Sequence, residues 1–332
     1  MSGTARGFGA ALPPTDGKPR LPGSLHLNRR LSQWLSFSAA GVVTITPGKV
    51  ELGQGILTTL SQIAADELDI GFERIAVIAA TTPDSPDEAV TSGSLSTQDS
   101  GGALRHACAA ARAIFIGVVA QRTGVSPDSI TIADGIFHGP AGRIGSYWEL
   151  ADQALLDTDA SPDARPKPAS ARRIAGTSVA RIDLPDKVFG AARYVHDLRL
   201  PGLLHARVIR PAARGATLTA LREGPLPGDA RVIRDGSFLA VLAGTEWDAE
   251  AAATRVAARA DWATRDTLPD AIIPWLREAA TGGERSEVIR KGVAASATHT
   301  LKRSFHRPYI AHASIGPACA VARWLGDTVE VW

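Results

Sequence analysis

Leu104, Ala107, Cys108, Ala111, Ile114, Phe115 and Val118 recur at intervals of three and four residues, and that spacing commits the chain to a long helix with one apolar face. Such a face has to be buried against another element. The polar, small-residue stretch Thr91 to Gly102 precedes the stripe and reads as a loop that opens the helix. A hydrophobic share of 45% with 21% charged residues is ordinary globular usage, which excludes a disordered or fibrous chain, and 332 residues allow two or three domains.

Lys and Arg number 36 against 34 Asp and Glu, so a net charge of +2 provides no basic field for nucleic acid or an anionic membrane. The greasiest stretch, Ala113 to Ala120, is bounded by Arg112 and Gln121 and falls short of the roughly 18 to 20 apolar residues of a membrane span. Arg29-Arg30 lacks an apolar run after it, since Gln33, Ser36 and Ser38 break up the segment that follows, and reads as a surface turn leading into the first strand rather than an export signal. A cytoplasmic location is expected, or export together with a partner. Cys108 and Cys319 lie far apart, and two cysteines cannot hold an iron–sulfur cluster, which takes about four.

Residues 1–25, rich in Gly and Pro, read as a flexible arm. Val42 to Thr46, Pro47-Gly48 and Lys49 to Leu52 read as strand, turn and strand, a hairpin. Beyond Gly55, Ile56, Leu60, Ile63, Ala64 and Leu68 predict a helix, and Ile75 to Ala80 a buried strand. Pro and charge replace the periodicity between Asp157 and Ala171, which predicts a linker and a domain boundary near 165. Gly202 to Ile209 and Ser237 to Ala243 follow as strands, with a helix over Glu246 to Ala258, giving a small α+β domain. Strands over Ala320 to Trp324 and Thr328 to Trp332 flank a Gly326-Asp327 turn. A chain ending on a strand with one partner is expected to continue, or to be completed by a second chain.

Gly53-Gln54-Gly55 sets a carboxamide between two residues without a β-carbon at a strand-to-helix junction, where the backbone can approach a bulky ligand. Taken alone, a glycine-flanked tight turn with a solvated Gln is the simpler reading. The hydroxyls of Thr91 to Gly102 before a helix suit a phosphate or pyrophosphate, and an N-cap made by Ser100 or Asp99 is the simpler alternative. His306 and His312 have no nearby carboxylate and read as structural. His196 and His205 lack a nucleophile and read as packing residues.

Three stretches taken together are more specific. Lys49 to Ile56 with Thr91 to Ser96, Arg181 to Gly190 with Asp197 to Val208, and Tyr309 to Ala313 with Cys319 to Ala322 resemble the molybdopterin-binding large subunits of the xanthine oxidase and aldehyde oxidoreductase family, over most of residues 26–332. The Gly-Gln-Gly segment comes first here, as in the isoquinoline 1-oxidoreductase beta subunit and the nicotinate dehydrogenase large subunit.

That resemblance implies an α+β chain: the arm over 1–25, a molybdopterin-binding segment over 26–165, an α/β-hammerhead domain over 166–275 and the start of a second molybdopterin-binding segment over 276–332. It implies that Gly53, Gln54, Gly55, Gly93, Ser94, Leu95 and Ser96 contact a molybdenum–molybdopterin cofactor in its cytosine dinucleotide form. It further implies a separate iron–sulfur subunit, a chain or segment supplying the C-terminal molybdopterin-binding half, and cytochrome c as an acceptor. The family's Gly-Phe-Gly loop and the Gly-x-Gly-Glu glutamate that serves as base have no counterpart among these residues. Glu51 and Glu330 do not match that base, so no catalytic residue and no metal ligand is assigned.

The expected function is part of a molybdenum hydroxylase large subunit, oxidising an N-heteroaromatic or aldehyde with a water-derived oxygen and inactive without its other half. A non-catalytic cofactor-binding or assembly partner, and an unrelated α+β anion-binding module, are the alternatives. Metal and pterin analysis separates the last from the other two.

Overall fold

A computed structural model describes residues 17–332 except 152, 265–268, 270, 283–288, 290, 293–295 and 309. Residues 1–16 of the expected arm, and Tyr309 of the last family stretch, lie outside the described residues. The chain forms two compact units, divided between Ala191 and Ala192.

In the first unit, β1 (Leu35–Phe37) and β2 (Val43–Ile45) pair antiparallel, with Leu35 opposite Ile45. A helix, α1 (Ile56–Leu68), crosses over to β3 (Ile75–Val77), which lies parallel to β2 with Val43 opposite Ile75. A parallel neighbour requires such a crossover. The helix α2 (Gly101–Thr123) ends at Gly124, which takes the left-handed conformation and donates its N–H to Ala120 O at 2.8 Å. Leu60, Ile63 and Ala64 of α1 are buried with Leu104, Ala107 and Phe115 of α2, as the periodicities predict. An antiparallel meander completes the unit: β4 (Thr131–Ala133), β5 (Ile136–Gly139) and β6 (Gly142–Ser146). Asp134 and Gly135 turn β4 into β5 with φ of 45° and 77°, the two positive angles of a tight hairpin. A short helix, α3 (Leu184–Val188), follows.

Several sequence-based expectations fail here, each for a physical reason. Residues 49–52 do not pair with β2 as a hairpin; Lys49 is buried and donates to Glu88 O and Val90 O, while Val50 N–H donates to Thr91 Oγ1 at 3.0 Å. That segment is drawn to residues 88–91, which leaves β2 to β1 and β3. The arm does not extend to residue 25, because Leu21, Ser24 and Leu25 are buried. Finally, Ser96–Thr123 is long and apolar enough by composition to cross a membrane, contrary to the reading from its charged borders. It is the core helix of the unit, with 61% of its apolar window buried.

The boundary between units falls at Ala191 rather than near 165, because residues 157–183 are strapped along α1. Lys167 N–H donates to the Glu67 carboxylate at 3.1 Å, and Arg173 and Ala175 donate to Asp66 at 2.9 and 3.1 Å. Gln62 reaches Ile174 O and Thr177 O, and Ile182 N–H reaches Thr58 Oγ1. The strap thus runs from the C-terminal end of α1 to its N-terminal end. The buried Glu67 also pairs with Arg105 and Arg112 of α2, so one carboxylate joins both helices and the strap.

In the second unit, β7 (His205–Ile209), β8 (Thr217–Leu221), β9 (Arg231–Asp235) and β10 (Phe238–Ala243) precede a helix, α4 (Glu246–Ala257), and β11 (Ala260–Ala263). β10 lies between β7 and β9, antiparallel to both, and β11 pairs with β8. Leu239, Val241, Ala252 and Val256 pack in its core. Thr245 caps α4 by accepting from Asp248 N–H at 3.1 Å. After α5 (Ile272–Gly282), residues 301–308 and 310–320 are exposed, and β12 (Ala322–Leu325) and β13 (Thr328–Val331) form the expected hairpin.

Candidate functional site

The turn before α1 is closed by its own side chains. Glu51 Oε1 accepts from Gly53 N–H and Gly55 N–H at 2.8 and 2.9 Å, and Oε2 accepts from Leu57 N–H at 3.3 Å. These donors would otherwise be orphaned at a helix start, where partial positive charge favours a carboxylate. Gly53 and Gly55 have φ of 101° and 79°, angles a side chain would strain. Gln54 folds back, accepting from Leu52 N–H at 2.5 Å and donating to Val50 O at 2.9 Å. A carboxamide has two donors and two acceptor lone pairs, so each end of the exposed Gln54 keeps one valence for a ligand or solvent.

Arg181, from the strap, completes the turn. Its guanidinium donates to Gly53 O at 2.8 Å, lies 3.5 Å from the Glu51 carboxylate and forms a bidentate pair with Asp183 at 2.9 and 2.7 Å. Lys187 adds a bond to Asp183 at 2.6 Å. The hydrogen bonds from Arg181 and Lys187 hold the Asp183 carboxyl well below the usual carboxylate range.

The second candidate stretch faces this turn. Gly93 and Ser94 are both left-handed, with φ of 68° and 58°, and for Ser94 that conformation is strained. Ser96–Ser100 form a π-helical turn running into α2. Neither Ser100 nor Asp99 caps α2. Ser100 is already helical, and its buried hydroxyl donates to Glu88 Oε2 at 2.9 Å instead.

Between the two stretches opens a cavity of about 410 Å³. Leu52, Gln54, Ile56 and Thr59 form one wall, and Thr91, Ser92, Ser94, Ser96 and Thr97 the other. Gln54, Ser94 and Ser96 therefore meet at one place, while Gly53, Gly55, Gly93 and Leu95 shape the walls from outside that lining. The lining carries no charged side chain, so it would hold an anion by hydroxyls and backbone N–H groups rather than by ion pairs.

Sequence reasoning did not single out Glu51, Arg181 or Glu88 as site-forming. A carboxylate two and four residues before the N–H groups it takes is a local signal that was available; the partnership of Arg181 with Gly53, 128 residues away, has none. The histidines differ from expectation: His306, His312 and His196 are exposed rather than packed, and only His205 is half-buried, on β7. His196 Nδ1 lies 3.4 Å from Cys319 Sγ. Cys108 is buried, and burial pushes its thiol far up. Among the described residues no group of three or more His, Cys, Asp or Glu is gathered to hold a metal.

Comparisons with known proteins give the chain's family and relatives. A family model described as a molybdopterin cofactor-binding domain matches residues 4–179. A nicotinate dehydrogenase subunit of Pseudomonas putida is 34% identical over 322 residues, 92% of this chain and 27% of that protein. The isoquinoline 1-oxidoreductase beta subunit of Brevundimonas diminuta is 29% identical over 215 residues, 53% of this chain and 28% of that protein. The chain thus spans about a quarter of the length of these relatives. Among solved structures, CO dehydrogenase from Oligotropha carboxidovorans is 28% identical with a TM-score of 0.31, covering 36% of this chain and 15% of that one.

Proposed function

Because the chain belongs to the molybdopterin cofactor-binding family, we propose that it is part of the large subunit of a cytoplasmic molybdenum hydroxylase that oxidises an N-heteroaromatic or aldehyde substrate. The observation that carries this reading is the single cavity shared by Gln54, Ser94 and Ser96. Its size falls within the roughly 300 to 1,000 Å³ of small-molecule and cofactor sites. Its donor set also suits a phosphate-bearing heterocycle: six hydroxyls, a carboxamide with a free valence at each end, and left-handed backbone at Gly93 and Ser94. The bound cofactor supplies the two-electron chemistry by which a water-derived oxygen enters an electron-poor carbon.

This chain's own part is to bind and orient. Gln54 offers one N–H and one lone pair, the hydroxyls of Ser94 and Ser96 accept or donate to polar atoms of a cytosine dinucleotide form, and Leu52 and Ile56 keep water from one flank. In this reading residues 166–275 are a hammerhead-like domain, and residues 276–332 begin a second molybdopterin-binding segment. An iron–sulfur subunit takes the electrons, delivering them to an acceptor such as cytochrome c, and a further chain or segment supplies the rest of the cofactor shell.

The test is co-production of the chain with an iron–sulfur subunit and the complementary segment, followed by metal and pterin analysis. Molybdenum and a cytosine-bearing pterin should co-purify with the wild-type chain, and Gln54→Ala should lower both the content and the turnover of nicotinate-like or aldehyde substrates without changing the circular dichroism. A complex devoid of molybdenum and pterin would sink the proposal.

A further inference from the structure

Glu88 lines no part of the cavity, yet it is buried, 4% exposed, and holds three segments together. Its carboxylate accepts from Ser24 Oγ at 2.5 Å, Gly48 N–H at 2.7 Å and Ser100 Oγ at 2.9 Å. Beside it the equally buried Lys49 ammonium donates to Glu88 O at 2.5 Å and Val90 O at 3.2 Å. Removing a carboxylate and an ammonium from water is costly, and apolar residues of similar volume would fill such a place more cheaply.

The position of these bonds in the chain gives them a purpose. One cavity wall begins at Leu52, shortly after Lys49; the other begins at Thr91, directly after Val90, and its last lining residue, Thr97, lies in the same helical turn as Ser100. The Glu88 carboxylate thus grips the base of the first wall through Gly48 and closes the loop of the second wall end to end through Ser100. The backbones approach closely there, since a β-carbon on Gly48 would lie 2.2 Å from Pro86 O and 2.9 Å from Glu88 Cγ. Gly23, next to Ser24, is pressed in the same way, since a β-carbon there would lie 2.2 Å from Asp99 O.

We propose that Glu88, with Lys49, is a positioning residue that fixes the separation of the two walls and so sets Gln54 against Ser94 and Ser96; its role toward the cofactor rests on the reading of the cavity given above. It touches no ligand and acts through the roots of both walls.

Hydrogen exchange of the full-length chain tests the positioning without any cofactor. Glu88→Gln keeps the volume but puts a donor where an acceptor is needed, and amides of both 50–57 and 89–99 should exchange about tenfold faster while those of 104–119 stay protected. Faster exchange confined to 86–90, or spread evenly through the unit, would overturn the proposal. Should Glu88→Gln fail to fold, Ser100→Ala and the pair Lys49→Arg and Lys49→Met decide. Ser100→Ala should loosen 89–99 alone, and Lys49→Arg should stay near wild type while Lys49→Met loosens both walls; equal exchange in all three would overturn it.

Molybdenum content of the co-produced complex separates the two levels of the argument. Loss of metal in both Gln54→Ala and Glu88→Gln supports both. Looser walls in Glu88→Gln, with metal retained in both variants, support the positioning and refute the cofactor reading. Metal lost in Gln54→Ala, with Glu88→Gln unchanged in metal and exchange, keeps the cofactor reading and refutes the positioning.

Discussion

Arg181 donates to the carbonyl oxygen of Gly53 at 2.8 Å across 128 residues of sequence, so the turn that presents Gln54 is finished by a residue from the far end of the strap. Asp183 holds that guanidinium in a bidentate grip, and Glu51 faces it at 3.5 Å. The turn is therefore assembled by tertiary contact as well as by its glycines.

The Glu51 carboxylate serves three N–H groups at the start of α1. Glu51→Ala should lower the unfolding free energy of the chain by about 1 to 2 kcal/mol, the usual cost of a lost helix cap with its donors left unmatched. Urea unfolding followed by circular dichroism measures it, and a midpoint equal to wild type would contradict the capping role.

Asp183 titrates below the ordinary carboxylate range because Arg181 and Lys187 favour its charged form. A carboxyl depressed in the fold contributes stability that is present above its unfolded value, about 4, and is lost as pH falls below that value. Protease resistance of the strap over 172–183 should accordingly be constant from neutral pH to about 5 and decline below about 4. Asp183→Asn should remove the strap's share of that decline. Asp134 and Asp159 are depressed too and titrate in the same window, so the comparison is made on cleavage within the strap rather than on global unfolding.

Ser94 sits at φ 58° on the cavity wall. Ser94→Gly relieves a left-handed side chain and should leave stability unchanged or raise it by up to about 1 kcal/mol, the gain being offset in part by the freer unfolded glycine. The same change removes a hydroxyl from the cavity, so molybdenum content of the co-produced complex should fall. A clear loss of stability would show that the hydroxyl, not the backbone, dominates at this position.

Tyr147 is fully buried among Phe37, Phe115 and Phe137, and its hydroxyl has no partner among the described residues. Tyr147→Phe keeps the ring contacts and removes an unmatched polar atom. Its unfolding free energy should equal that of wild type or exceed it by about 1 to 2 kcal/mol. Destabilisation of that size in urea would reveal a hydrogen bond to the hydroxyl.

Features that depend on a few neighbouring residues were legible in the sequence. The periodicities of Ile56 to Leu68 and Leu104 to Val118 specified α1 and α2, and the strands at 205–209 and 238–243 and the helix at 246–257 stood out in the same way. Asp134-Gly135 is an equally local signal for the β4–β5 turn. Gly53, Gly55 and the run Gly93 to Ser96 marked the places where the backbone turns left-handed beside the cavity.

The sequence by itself determined the helices α1, α2 and α4, where the backbone of the two candidate stretches must tolerate positive φ, and which family the chain resembles, because these follow from local spacing, residue shape and motif. Only the tertiary structure decided what the extended segments pair with. Lys49 to Leu52 has the pattern of a hairpin strand, but the buried Lys49 and Glu88 bind it to residues 88–91. Residues 157–171 have the composition of a linker, but Asp66, Glu67 and Gln62 supply hydrogen-bond partners that make them and their continuation a strap on α1. An extended backbone leaves its N–H and C=O groups to be satisfied from elsewhere, and here the partners lie 40 to 130 residues away, beyond the reach of any pattern in the segment itself.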